Sequence, residues 1–488
     1  MYLGIDIGTS AVKTIVMADD GSTLAEAAAP LSSSRPGPLM SEQDPNDWWQ
    51  AVQSTVQDLK HYAPGVQGIG LSGQMHGAVL LDRKQRPLRP AILWNDGRSS
   101  TECAELEAQL DVAAATGNRA MPGFTAPKLL WLNKHEPETF AATQTVVLPK
   151  DYVRLRMTGE LATDMSDASG TLWLNVATRR WDPAMLGATN LDEDAMPALY
   201  EGSQVTGVLS AELAAAWRMQ QVPVVAGAGD QAAGAVGAGA VNPGICTVSL
   251  GTSGVIFAPA RCYRPNPAGG VHTFCHALPE TWHEMAVILS AAGSLTWIAQ
   301  STGYASEAEL LEEVEAREPM DSRVMFLPYL SGERTPHNNA LATGVFTGLT
   351  ADTTRAELGY AVLEGVAFAM RDCCEELRKS GSDLSHLNVI GGGSRSRFWG
   401  QLLANVLQRP LHYRLDAAVG PALGAARLAK LGVCGAPIDE VCHEANIDFV
   451  VEPNTNDEHA LVPRYQAFRS LYQDLRAHFE RLHSTNPA

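Results

Sequence analysis

The chain has 488 residues, 45% hydrophobic and 18% charged, with a formal net charge of −18. That length and apolar content predict two or more soluble domains with sizeable cores, and the acidic balance argues against nucleic acid and anionic membranes as partners. Scattered cysteines without a CxxC or Cys/His cluster predict neither a disulfide framework nor a structural metal, and suit a reducing cytoplasm; no basic leader opens the chain and no uninterrupted apolar span follows, so neither a signal peptide nor a membrane helix is expected.

Two apolar runs, Tyr2–Ile5 and Val12–Met17, flank Asp6-Ile7-Gly8-Thr9-Ser10. Short β-branched runs around a Gly-Thr-Ser turn predict a buried β-hairpin. The hydroxyls and free N–H groups of such a turn suit phosphate oxygens. A carboxylate beside them repels phosphate unless a cation intervenes, so Asp6 points to Mg²⁺ and a nucleotide. A plain hairpin with Asp6 in its turn is the simpler alternative.

Asp44-Pro45 predicts a helix start, with Trp48, Trp49 and Val52 on its apolar side. Val66 to Leu71 reads as a strand ending in Ser72-Gly73-Gln74-Met75-His76-Gly77. Ligand contacts in open α/β sheets fall at such strand ends. Gln74 and His76 can both bond sugar hydroxyls, although a satisfied core histidine fits as well. Ala91 to Trp94 leads into Asn95-Asp96-Gly97-Arg98. There Trp94 offers a flat apolar face and Asp96 and Arg98 directional polar groups, either for a sugar or for packing the loop. Helices are predicted from about Thr125 and after the 146–148 strand.

The stretch 222–240 combines a buried strand, Asp230 at the N-terminal turn of a helix, and the glycines 227, 229, 234, 237 and 239. An aspartate there serves as a helix cap or as a reactive carboxylate that substrate can approach. An ordinary pKa near 3.9 keeps it ionised, and the helix N-terminus favours that form further. Asn242-Pro243-Gly244 reads as a domain boundary. Immediately beyond it, Thr247 to Ile256 repeats the opening hairpin. Gly251-Thr252-Ser253 matches Gly8-Thr9-Ser10 at an offset of 251 − 8 = 243, about half the chain. That predicts two related domains. Ser249 falls opposite Asp6, so one turn carries charge and the other does not.

Residues 331–337, Ser-Gly-Glu-Arg-Thr-Pro-His, form a polar loop rich in ligand-type side chains. An amphipathic helix is predicted over 357–369. A strand at 387–390 runs into Gly391-Gly392-Gly393 and a helix, a nucleotide-type arrangement without a P-loop. A small-residue helix opens from Val419, and Tyr465 to Phe479 predicts an amphipathic C-terminal helix.

These motifs resemble the FGGY carbohydrate kinase family. Residues 123–135, with Lys128 and Trp131, resemble its first signature, and 344–364 the second. The resemblance implies an α/β fold of two actin-like (ribonuclease H-like) domains with a cleft between them. Residues 1–243 would be the sugar-binding domain and 244–488 the mainly ATP-binding one. It implies ATP-dependent phosphorylation of D-xylulose at O5 by a cytoplasmic enzyme, with Mg²⁺ and without nucleic-acid or membrane partners; a homodimer is compatible. By that likeness Asp230 is the catalytic base and Asp6 the metal-side acid. Gln74, Met75, His76, Trp94, Asp230 and Gln231 would meet the sugar. Gly8, Thr9, Ser10, Lys13, Gly251, Thr252, Ser253, Gly391, Gly392, Gly393 and Asn405 would meet the nucleotide. Gln231 departs from the Asn expected there. A kinase of ribulose or glycerol is the alternative enzyme. A non-catalytic ATP- or sugar-sensing module is the alternative of another class, and the expected DNA-binding or peptide-binding segment of such a module is not recognisable here.

Overall fold

The computed structural model describes residues 1–317, 322–415 and 420–485. The first hairpin joins β1 (Tyr2–Ile7) to β2 (Ala11–Met17), antiparallel, with Asp6 opposite Lys13. Asp6 therefore lies on the strand, and only Gly8, Thr9 and Ser10 make the turn. Strand alternation explains why both faces are buried. Leu3, Ile5, Ile7, Val12 and Val16 pack on one side with Trp48 and Val52. Tyr2, Ile15 and Met17 pack on the other with Ala422 and Ala426.

β3 (Thr23–Pro30) extends the hairpin. α1 (Pro45–Asp58) follows, its first turn capped by Asp44, which accepts from the Asn46 N–H. β4 (Gly68–Gly73) lies parallel to β1. It runs two residues beyond the expected Leu71 because its register follows β1 out to Ile7. Next come α2 (Thr125–His135), α3 (Pro149–Thr158), α4 (Met165–Ser169), β5 (Val205–Val208), β6 (Pro223–Val225), β7 (Ala228–Gly229) and α5 (Asp230–Ala238).

The second half opens on β8 (Ile245–Leu250) and β9 (Gly254–Ala260). Adding 243 to the limits of β1 and β2 gives the limits of β8 and β9. β10 (His272–Cys275), β11 (Trp282–Ile288), α6 (Ala292–Ser301), α7 (Arg355–Lys379), β12 (His386–Ile390), α8 (Arg397–Leu407), β13 (Leu411–Arg414), α9 (Pro421–Cys434), β14 (Ile447–Val451) and α10 (Thr455–Thr485) complete the chain. Val419, expected to lead into α9, lies outside the described residues.

Among the described residues there are two seven-stranded sheets. One runs β5-β6-β4-β1-β2-β3 with β7 also on β4; the other runs β10-β11-β9-β8-β12-β13-β14. In each, the leading strand has its hairpin partner antiparallel on one side and a later strand parallel on the other. The repeat seen in the sequence is thus a repeat of strand neighbours and directions, in a mixed α/β architecture. All eight cysteines are free thiols. Among the described residues no helix is long and apolar enough to cross a membrane.

The two halves are interlocked. α9 belongs to the second half by sequence but packs on the first sheet. A Cβ on Gly4 or Gly70 would come within 1.9 Å of the carbonyl oxygens of Ala422 and Ala425. A Cβ on Gly424 would come within 1.8 Å of the Ala233 carbonyl on α5. A sequence cut at 243/244 therefore does not separate the packing units. Backbone cannot retreat as a side chain can, so Gly424→Leu should abolish soluble folded protein. Recovery of a soluble variant with a melting temperature near the parent's would refute this tight crossing.

Candidate active site

The C-terminal ends of β1, β4 and β7 meet side by side, with Asp6 and Ala228 each opposite Ser72. Asp230 begins α5 immediately beyond β7. Gly229, not Asp230, occupies the cap position, and no side chain caps this helix. Asp230 is therefore free of the capping role that its place in the sequence allows.

Its protonation also departs from expectation. Burial, and next the nearby charge of Asp6, push the Asp230 carboxyl up to about 7, against the opposing backbone and side-chain donors of Gln231. The helix N-terminus does not win, because desolvation penalises the charged form more strongly. Asp6 is pushed up to about 6, again by burial first, with Ser72 and Lys13 pulling the other way. Lys13 itself pairs with Glu26 at 2.8 Å. One Asp6 oxygen, Oδ1, is buried without a hydrogen-bond partner among the described residues.

A cavity of about 160 Å³ adjoins Asp230. Met75, His76, Trp94, Asp230 and Gln231, expected at the sugar, line it together with Ser253, expected at the nucleotide. Val255, His272, Phe274, Met285 and Val287, none of them expected, complete the wall with Arg334 of the polar loop 331–337. These come from the second half, so the cavity is not built by the first half alone. Five of them sit on strands and read in sequence as ordinary core. Arg334 had a visible signal in the polar loop 331–337.

His76 is fixed from three directions. Its backbone has a φ of +69°, a left-handed conformation that costs energy for a non-glycine residue. Its carbonyl accepts from Lys128 Nζ at 2.8 Å and Thr125 Oγ1 at 3.2 Å. Its ring Nδ1 lies 2.8 Å from the Gly170 carbonyl. A carbonyl only accepts, so Nδ1 carries the proton. Burial lowers the ring pKa to about 3, so the imidazole is neutral and Nε2 remains an acceptor. The buried Lys128 also binds the Gly123 carbonyl at 2.7 Å.

The first turn is held by a chain of side chains. Trp94 Nε1 donates to Thr9 Oγ1 at 3.0 Å, and Thr9 Oγ1 donates to Gln74 Oε1 at 2.9 Å. Gln74 Nε2 donates to Gln43 Oε1 at 2.9 Å, and Gln43 Nε2 returns to the Thr9 carbonyl at 2.7 Å. Gln74 and the Thr9 hydroxyl are thereby engaged in shaping the turn. Ser10 is exposed beside them, and Gly8 N–H closes the turn on the Ala11 carbonyl. Asp96 and Arg98 pair with each other at 2.8 Å and Arg98 with Glu42 at 2.7 Å, so they pack the loop and do not face the cavity.

At the second turn the Gly251 N–H donates to Ser253 O, and the Thr252 carbonyl accepts from Ala291 and Gly293 at the start of α6. The glycine run lies at the end of β12, next to this turn. Gly391 has a φ of +92°, and a Cβ there would sit 2.9 Å from the Leu250 carbonyl. A Cβ on Gly393 would meet Leu250 and Trp399 at 2.9 Å, whereas Gly392 faces open space. Asn405 is not brought to this run. It is buried on α8, where its Oδ1 accepts from Gln401 at 2.9 Å and from the Asn454 N–H at 2.7 Å.

The FGGY family of carbohydrate kinases matches with its N-terminal domain over residues 1–237 and its C-terminal domain over 246–432. A xylulose kinase of Escherichia coli K12 is 50% identical over 97% of this chain and 99% of its own length. A crystal structure of a "xyloylose kinase" from Brucella ovis superposes with a TM-score of 0.95 at 46% identity, covering 98% of this chain and 99% of its own. A xylulose kinase structure from Rhodospirillum rubrum superposes with a TM-score of 0.91 at 30% identity, covering 98% and 99%.

Proposed function

The chain belongs to the FGGY family of carbohydrate kinases, and from that premise we propose that it transfers the γ-phosphoryl group of ATP to O5 of D-xylulose. The products are D-xylulose 5-phosphate and ADP. The substrate assignment rests on the relatives named xylulose kinase that match this chain over nearly its whole length. The observation that carries the chemistry is the pair of neighbouring carboxylates, Asp6 and Asp230, the second of them lining a cavity with Met75 and His76.

Phosphoryl transfer asks for positioning and charge neutralisation, with a base to take the hydroxyl proton. In this reading Asp230 accepts the O5 proton as O5 bonds to the γ-phosphorus and the bond to the ADP oxygen breaks. His76 Nε2 accepts a sugar hydroxyl, and Trp94 covers the sugar from the solvent side. Backbone N–H groups at Thr9–Ser10 and Thr252–Ser253, together with Gly391–Gly393, would receive the phosphates and the rest of the nucleotide. Walls from both halves exclude water, which otherwise competes with the sugar as acceptor.

The unpartnered Asp6 Oδ1 suits a hard cation. Among the described residues no cluster of three or more ligating side chains occurs, so phosphate oxygens and water would complete its shell. Mg²⁺ bound there would neutralise charge on the β- and γ-phosphates. The reading places the enzyme in the cytoplasm with ATP and a pentulose as its small-molecule partners.

The test is ADP release over a panel of ketoses and polyols. D-xylulose should stimulate it far more than L-ribulose or glycerol. A larger response to glycerol or L-ribulose would remove the substrate assignment and leave the family membership intact.

A further inference from the structure

The cavity carries two chemically different groups: Asp230, beside Asp6, and Arg334, whose Nη1 lies 3.1 Å from His272 Nε2. His272 stacks on Phe274, and Phe124 stands edge-on to both His272 and His76, at 5.5 and 4.7 Å. Arg334 thus shares the cavity with His76, whose ring its charge reaches.

The segment carrying Arg334 is built in place. Its neighbour Glu333 accepts from the Arg334 N–H at 2.7 Å and from the Leu289 N–H at 3.0 Å. On its other side Thr335 exchanges two hydrogen bonds with Val287 on β11, both 3.0 Å. The carboxyl group acting on the Arg334 charge is Glu333. Burial pushes that acid up to about 8, so it is protonated at neutral pH and does not neutralise the arginine. A half-buried guanidinium on a cavity wall calls for acceptors, because it has only donors to offer.

We propose that Arg334 selects for a ketose by donating to the C2 carbonyl oxygen, at the far end of the substrate from the O5 hydroxyl that Asp230 serves. This rests on the pentulose kinase reading above. A carbonyl oxygen is an acceptor only and matches a donor-only side chain. The C2 alcohol of a polyol brings an extra proton, and the acceptor beside it, His272 Nε2, is already taken by Arg334. A site built around one such bond discriminates strongly because its mismatch leaves a buried polar group unpaired.

The experiment compares kcat/KM for D-xylulose and for its C2-reduced polyols, xylitol and D-arabinitol, in the parent enzyme, Arg334→Met and Arg334→Lys. Arg334→Met should lose on the order of 100-fold on the ketose. The ketose-to-polyol ratio should fall at least tenfold, because the polyols lose much less, and Arg334→Lys should recover part of the ratio. The polyol rates report in the same assay whether the variant is folded. Equal losses on ketose and polyol would overturn the proposal, as would a loss expressed as a raised KM for ATP with the ratio unchanged. If the parent instead prefers L-ribulose, the substrate assignment falls. The ribulose-to-ribitol ratio then reads Arg334 in the same way, and an unchanged ratio overturns its role.

Discussion

Asp230→Asn is expected to lower turnover by roughly 10²–10⁴-fold, the usual worth of a positioned base. The fold should persist, because Asp230 is not the helix cap and no capping bond is lost. Its pH behaviour separates a base from a merely buried acid. With the carboxyl pushed up to about 7 in the free protein, kcat/KM for D-xylulose should rise with pH through that value. Stability should move the opposite way. A carboxyl whose folded pKa exceeds its unfolded value stabilises the fold at low pH and loses that contribution as pH rises to the folded value. The window is from about 3.8 to about 7. The Asn variant, neutral throughout, should therefore melt above the parent at pH 8, and the difference should vanish near pH 4. Turnover close to the parent's in a folded variant would end the base assignment. A parent melting temperature that rises relative to the variant between pH 4 and 8 would contradict the burial argument.

Asp6→Asn tests the metal-side carboxylate and has a second signature. Turnover should fall by about 10²–10³-fold, the range for removing one preorganised charge-stabilising group. Added Mg²⁺ should not restore it if Asp6 is the group that places the cation. The charge of Asp6 is also the second-largest cause of the raised Asp230 pKa. Removing it should move the acid limb of kcat/KM to lower pH even as the rate collapses. A variant with the parent's rate would reduce Asp6 to a strand residue opposite Lys13. A variant with a lower rate and an unmoved acid limb would separate the two carboxylates electrostatically and contradict their proximity.

The hairpin repeat, the helix starts at Pro45, Thr125 and Pro421, and the strand before the triple glycine are all legible in one dimension. Each depends on short-range rules: alternation of buried side chains, capping residues, and turns that need small residues. Asp6, Met75, His76, Trp94 and Asp230 are legible for a related reason. Met75 apart, they are polar or aromatic residues at the ends of apolar strands, where an α/β sheet leaves its ligand crevice.

What only the tertiary structure decided concerns partners distant in sequence. Gln74 and Thr9 look alike as ligand donors, yet a bond between them and another to Trp94 turns them into a brace for the turn. Asn405 reads as a nucleotide contact but holds Asn454. The cavity wall from Val255 to Val287 is invisible along the chain, because strand residues facing a cavity have the same pattern as those facing a core. α9 shows the same limit at the scale of domains, since its small residues announce close packing without saying on which sheet. The pKa values of Asp6 and Asp230 are the clearest case. An isolated aspartate at a helix start should be more acidic than usual, and only burial next to a second carboxylate reverses that sign. Local propensity and periodicity are properties of the chain, whereas desolvation, long-range pairing and the two-sided cavity exist only once the halves are packed together.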